Sequence, residues 1–158
     1  MIEFKHEILF NIIEEVDGLL KMHYEELTLH KERVVLNPMW ENYAAMEKAG
    51  GFAVFTARDE GMLVGYSAFF IHPHMHYKDL VVAANDVLFL HPEYRKGMTG
   101  IKLIKFSETT LKNRGVDKLV WHIKFNKNEK DKKDFRAIMH RLHYTDEEVI
   151  VGKFLKET

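Results

Sequence analysis

Residues 85 to 104, "NDVLFLHPEYRKGMTGIKLI", constrain the fold most tightly. An apolar run stops at Pro92, an Arg-Lys-Gly-x-x-Gly turn follows, and a helical pattern starts at Thr99. The run from about Val81 to His91 is apolar on both faces, as a strand in the middle of a sheet must be. The turn after it carries two glycines and two cations. Glycine lets the main chain approach a ligand closely, and the unpaired N–H groups and dipole of a helix N-terminus favour an anion. Arg95 and Lys96 add positive charge, Arg95 through a planar fork. A phosphate suits this arrangement. No Gly-Lys-Ser/Thr follows and the spacing is not GxGxxG, so a P-loop triphosphatase and a dinucleotide-binding Rossmann domain are both disfavoured.

The flanking segments build a mixed α+β order around this unit. "FKHEILFNIIEEVDGLLKMHYEEL" places Ile8, Ile12, Ile13, Val16, Leu19, Leu20 and Tyr24 at helical spacings, with Gly18 expected to weaken or end the helix. "NPMWENYAAMEKAGG" reads as a second helix, capped by Asn37, with Pro38 at its first helical position and Gly50-Gly51 ending it. "FAVFTARDEGMLVGYSAFFIH" gives two strands joined by a hairpin turn at Asp59 to Gly61. After residue 100, Ile101, Leu103, Ile104, Phe106 and Leu111 form an apolar stripe, and Gly115 suits the helix C-terminus. "DKLVWHIKF" reads as a strand, "KDKKDFRAIMHRLHY" as a last helix and "EEVIVGKFLK" as a final strand. The mixed-charge run Lys127 to Asp134 reads as a solvated loop and helix start. The fold class expected is α+β, a mixed, mostly antiparallel sheet flanked by helices, in one domain over residues 1–158.

Composition narrows the function classes. The formal net charge is −1, from 23 Lys+Arg and 24 Asp+Glu, whereas nucleic-acid binders usually carry a basic surplus. A nucleic-acid partner is disfavoured. With no cysteine, disulfides, thiolate metal sites and cysteine nucleophiles are excluded. No apolar run approaches the ~20 residues that span a bilayer, and the N-terminus lacks a signal-peptide pattern, so a cytoplasmic protein without a membrane partner is the default. His72, His74 and His76 alternate on one face if their segment is extended. That spacing admits zinc, but Pro73 interrupts a strand ladder, and no metal site is expected. Those histidines, Trp40 and Tyr43 are instead candidates to line an acceptor pocket, with core or surface roles as the simpler alternative.

"FLHPEYRKGMTGIKLI" resembles the acetyl-CoA signature of the GCN5-related N-acetyltransferases (GNAT), in which a strand ends in a Pro-x-Tyr/His-Arg segment and a glycine loop precedes a helix. Arg95 and Gly100 match that pattern. Its middle glycine stands here at Gly97, one residue early, and Met98 takes its place. The stretch "HPHMHYKDLVVAANDVLFLHPEYRKG" also looks like acetyltransferase-type proteins of tailed phages. The resemblance implies acetyl-CoA as cosubstrate, with its pyrophosphate on Arg95, Lys96, Gly97, Met98, Thr99 and Gly100, and an amine as acceptor. It implies that a main-chain N–H of Phe89 or Leu90 polarises the thioester carbonyl and that a bulge splays this strand from its neighbour.

Transfer to an amine also needs a base, because a lysine-like amine is protonated at neutral pH. The resemblance points to Asp86, on the strand before the loop; a structural aspartate bonded to nearby main chain is the alternative. The family's thiolate acid is a tyrosine on the last helix, and Met139 stands at that position. His140 and Tyr144 are the candidate replacements, with water as the other proton source. A catalytically inactive module that binds coenzyme A or a protein is the competing reading. A homodimer is a fair default for the fold.

Overall fold

The computed structural model describes residues 1–124 and 129–156; the side chains of 125–134 lie outside the description. The described chain divides into two compact units, Met1–Glu26 with Leu36–His122, and Leu27–Val35 with the described part of Ile123–Thr158.

The first unit is built on one five-stranded sheet. Its strands β1 (Ile2–Glu7), β2 (Phe52–Asp59), β3 (Met62–His74), β4 (Tyr77–Leu90) and β5 (Lys118–Val120) lie side by side in that order. The first four pair antiparallel, and β5 runs parallel to β4. The expected α+β class with a mixed, mostly antiparallel sheet is therefore observed. The β2–β3 turn is made by Glu60 and Gly61, both with positive φ (48° and 86°), the twist that a two-residue hairpin loop requires.

Helices cover both faces. α1 (Ile13–Leu27) and α2 (Trp40–Lys48) belong to the side where Val16, Leu19, Phe52, Val54, Tyr66 and Phe89 form one core. α3 (Thr99–Asn113) buries Leu103 and Leu111 on the other side, against Phe55, Phe69 and Val64. Gly115 ends α3 at φ 85°, and the bonds Gly115 N to Lys112 O and Val116 N to Leu111 O close a Schellman motif.

Several expectations about local structure are corrected. The N-terminus begins with a strand, β1, rather than a helix; Ile2 and Phe4 alternate, but the helical spacing that starts at Ile8 masks so short a run. Of the two outcomes expected at Gly18, ending the helix is excluded: it lies inside α1, because burial of Val16, Leu19 and His23 outweighs the ~1 kcal/mol by which glycine weakens a helix. Met39, not Asn37, is the N-cap of α2. The strand expected after Asp117 stops at Val120, where β4 turns away from it.

The second unit contains α4 (Glu129–Arg141), closed by His143 at φ 68° and the bond Tyr144 N to Met139 O. Residues 145–155 adopt no strand, which corrects the expected final one. Val149, Ile150 and Val151 are exposed, and the described residues of this unit offer no strand to pair with them. The side chains of the charged run Lys127 to Asp134 lie outside the described residues.

A partly buried ion cluster centred on the buried Arg58 ties β1, α1 and the hairpin together. The Arg58 guanidinium donates to Glu7 (2.8 and 3.2 Å), to Glu15 (2.7 and 2.9 Å) and to the Gly61 carbonyl (2.7 Å), and Thr56 also donates to Glu7. Burial alone pushes the Glu7 carboxyl up, but the bonds from Arg58 and Thr56 outweigh it and hold the group below its ordinary range. The bond from Arg58 does the same for Glu15.

Candidate active site

Asp86 occupies a break in the sheet. Ala68 of β3 pairs with Val87 and the next residue, Phe69, pairs with Asn85, so Asp86 is the extra residue of a β-bulge. The Asn85 side chain holds the bulge, its amide donating to the carbonyls of Ala68 (3.2 Å) and Val87 (2.8 Å). On the other edge, β4 leaves β5 after Ala84–Val120, and the Asn85 carbonyl bonds instead with the His122 imidazole Nδ1 at 3.0 Å. Past the bulge, β4 therefore keeps β3 as a neighbour and loses β5.

The end of β4 faces this gap. The His91 N–H donates to the Val64 carbonyl at 2.8 Å. By the alternation of antiparallel bonding, the adjacent pair Gly65–Leu90 is then a non-hydrogen-bonded one. The Leu90 N–H consequently points away from β3, to the side that β5 has left, while that of Phe89 points to β3. Gly65 permits this narrow pairing: a Cβ there would lie 2.6 Å from Leu90 Cδ1 and 3.0 Å from the Phe89 carbonyl oxygen. The Phe89 ring is a core anchor, with His23 of α1 stacked on it at 5.4 Å and the Arg95 guanidinium over it at 5.2 Å.

After β4, Pro92–Tyr94 makes one 3₁₀ turn, and the Tyr94 hydroxyl donates to Asp59 in the hairpin at 3.2 Å. Gly97 then takes φ 106°, a left-handed conformation that favours glycine, and Met98 becomes the N-cap of α3 with no side-chain cap bond. The displaced glycine thus makes the turn itself. The first main-chain donor used by α3 is Lys102, bonded to Met98 at 2.9 Å. Among the described residues, the N–H groups from Lys96 to Ile101 have no acceptor. Gly100 stands in the first turn of α3, and a Cβ there would meet only Leu90 Cδ2, at an ordinary 3.8 Å. Packing within the chain does not demand glycine at that position.

The two cations of the loop differ. Arg95 is engaged within the unit: its Nε donates to the Leu90 carbonyl at 2.7 Å, and its two terminal nitrogens donate to Glu26 of α1 at 2.6 and 2.7 Å. It fixes the start of the loop against β4 and α1. Lys96 is exposed and makes no ion pair among the described residues.

On the α1/α2 face, the Asp86 carboxylate accepts a hydrogen bond from the Tyr43 hydroxyl at 3.1 Å. Burial, then the charge of Asp86 and this bond, push Tyr43 up to about 12, so it remains a donor. Tyr43 packs among Trp40, Phe52 and Phe70. Tyr66 of β3 is 3% exposed, and its hydroxyl has no hydrogen-bond partner among the described residues. Leaving such a group unmet costs about 1–3 kcal/mol. Burial raises its pKa, and the charge of Asp86 and the Tyr43 hydroxyl raise it further. Tyr66 and the clamp role of Asn85 escaped sequence reasoning. A tyrosine in a mostly apolar strand was the available signal for Tyr66.

The histidine segment forms the tip of the β3–β4 hairpin. Pro73 remains in register with Val81, and a register shift follows it. The His74 ring lies 4.6 Å from that of Tyr77, and no cluster of three metal-ligating side chains occurs among the described residues. His140 and Tyr144 belong to the second unit. There His140 Nε2 pairs with Asp146 at 3.2 Å, and Arg136 also binds Asp146. Tyr144 is half-buried and Met139 is buried. No described helix is long and apolar enough to cross a membrane.

Residues 16–138 match the model of the acetyltransferase (GNAT) family. No curated protein sequence matches the chain. Among solved structures, an aminoglycoside acetyltransferase from an uncultured soil metagenomic sample is similar at a TM-score of 0.77 and 14% identity, covering 99% of each chain. A GCN5-related N-acetyltransferase from Ralstonia eutropha is similar at a TM-score of 0.74 and 12% identity, covering 99% of this chain and 100% of its own. A predicted acetyltransferase from Clostridium acetobutylicum, solved with acetyl-CoA, gives a TM-score of 0.70 at 11% identity, covering 98% of this chain and 97% of its own. At these identities the likeness establishes the fold.

Proposed function

Because the chain belongs to the acetyltransferase (GNAT) family, whose members use acetyl-CoA as cosubstrate, we propose that it moves an acetyl group from acetyl-CoA directly to a primary amine, on a small molecule or a protein. One observation carries the reading: the unpaired N–H groups from Lys96 to Ile101 open α3 beside the strand end that β5 has left. They suit a pyrophosphate, because a helix N-terminus offers both donors and a favourable dipole. The freedom at Gly100 fits close approach of a ligand to the main chain. Lys96 supplies charge, while Arg95, held by Glu26, shapes the loop and meets phosphate only by sharing that carboxylate.

The chain's own groups then take the following roles. The Leu90 N–H polarises the thioester carbonyl, since it points into the gap and costs no reorganisation. Asp86 takes the proton of the acceptor ammonium, with Tyr43 holding the carboxylate in place. The freed amine attacks the carbonyl, the C–S bond breaks so that coenzyme A departs as a thiolate, and the nitrogen releases its remaining extra proton to solvent as the amide forms. Tyr144 or His140 gives that thiolate its proton, or water does. The whole chain, 1–158, acts as one acyltransferase domain, a reading supported by neighbours that match it over nearly its full length. The phage-like stretch supports a setting in a host cytoplasm, and a homodimer fits the fold.

A second reading is a GNAT-fold module that binds without catalysing, favoured by the buried Met139 where the resemblance expects a tyrosine. Two measurements separate the readings. Acetyl-CoA at about 100 Kd is expected to add about 2.7 kcal/mol of stability, read as a rise in thermal midpoint. Thiol release with a panel of polyamines, aminoglycosides and lysine peptides is expected for the enzyme. Stabilisation without thiol release from any amine supports the binding module; no stabilisation at all overturns the enzyme and leaves only a module that works through protein contacts.

A further inference from the structure

Tyr66 is a buried polar group that the proposed mechanism does not use. It lies in a largely apolar core with Ala68, Phe89 and Phe52, against which the partly buried Val87 and Tyr43 pack. A phenylalanine would fill the same volume without a hydroxyl to satisfy, and buried polar groups are rarely left unmet. Among the described residues, titratable groups around this corner of the sheet come from α1, α2, β4 and the segment after β5. They are Tyr43 of α2, Asp86 of β4, His23 of α1, stacked on Phe89, and His122 beyond β5, bonded to the Asn85 carbonyl. Two of them act electrostatically on Tyr66, namely Asp86 and Tyr43. The Tyr66 hydroxyl shares its core with Val87 and with the Tyr43 ring, whose own hydroxyl donates to Asp86, yet no direct hydrogen bond joins Tyr66 to that carboxylate.

We propose that Tyr66 is a positioning residue for Asp86, its hydroxyl donating through one bridging water to the carboxylate that Tyr43 holds directly. A buried water needs two or more polar partners, and the Tyr66 hydroxyl and the Asp86 carboxylate supply them. A carboxylate has about four lone-pair sites. Tyr43 occupies one, and the bridging water takes another. Both donors stabilise the ionised form, so the bulge presents a charged base in a fixed orientation. In the transfer step an ammonium N–H bond breaks as an O–H bond forms on Asp86; the O–H bonds of Tyr43 and Tyr66 stay intact. The inference rests on Asp86 being the base, but the contact itself is tested without an acceptor.

The carboxyl ¹³C signal of Asp86 is titrated in the full chain, in Tyr66→Phe and in Tyr43→Phe. Removing a donor to the charged form raises a carboxyl pKa, so the midpoint is expected to rise in both variants, by about half a unit or more. An Asp86 midpoint in Tyr66→Phe equal to that of the parent overturns the contact. Thiol release by Asp86→Asn is read alongside. Parental activity there sinks the base assignment while leaving the titration result standing.

Discussion

Asp86→Asn is expected to lower amine-dependent thiol release about 10²- to 10⁴-fold, the range that general-base catalysis supplies. The substitution is nearly isosteric, and the Tyr43 hydroxyl can still donate to the amide oxygen, so the bulge should persist. Asn85 clamps the carbonyls on either side of it independently. Stabilisation by acetyl-CoA should therefore survive, because the loop amides lie ten or more residues further on. The deficit should shrink as pH approaches the amine's own pKa near 10.4, where solvent delivers the amine already neutral. A variant with parental rates at neutral pH would show that Asp86 is a structural aspartate.

Arg58→Met should destabilise the fold by about 3 kcal/mol. Breaking a buried ion pair from one side costs about 3–5 kcal/mol, and the lower end applies because the Glu15 side chain is 43% exposed and can rehydrate. At ~2–4 °C per kcal/mol for a chain of this size, the thermal midpoint falls by roughly 6–12 °C. Glu15→Gln, at the exposed arm, should cost under about 1 kcal/mol. Glu7 and Glu15 both titrate below the ordinary 4.5 in the folded chain. Their contribution is therefore complete above that value and is lost as pH falls through the folded pKa values. The gap between parent and Arg58→Met should narrow below pH 4.5. A gap unchanged down to pH 3 would contradict the ion-pair account.

What could be read from the sequence follows from how local each signal is. The hairpin from Phe52 onward and α3 with its Gly115 end were legible, because their turn residues and periods lie within a few positions of one another. β1 was not, since its pairing with Phe55 and Arg58 lies some fifty residues away and only Ile2 and Phe4 mark it. The final strand failed for a related reason. Alternation in "EEVIVGKFLK" records β propensity, which yields a strand only where a partner is present. At the site, Asp86 was legible as a costly charge in an apolar strand, but its partner Tyr43 lies 43 residues earlier. Arg95 looked like a phosphate ligand by its neighbours, whereas its closest contacts are Glu26 and the Leu90 carbonyl. The glycine spacing was the apparent irregularity, and Gly97 resolves it by taking the left-handed turn one residue early.

The account depends on the amides that open α3. An ¹⁵N-resolved titration of the full chain with coenzyme A, and separately with pantetheine, tests it most directly. The amide signals of Lys96 to Ile101 are expected to move most with coenzyme A and to stay in place with pantetheine, which lacks the pyrophosphate. Coenzyme A that stabilises the protein while those six amides remain unmoved would contradict the assignment.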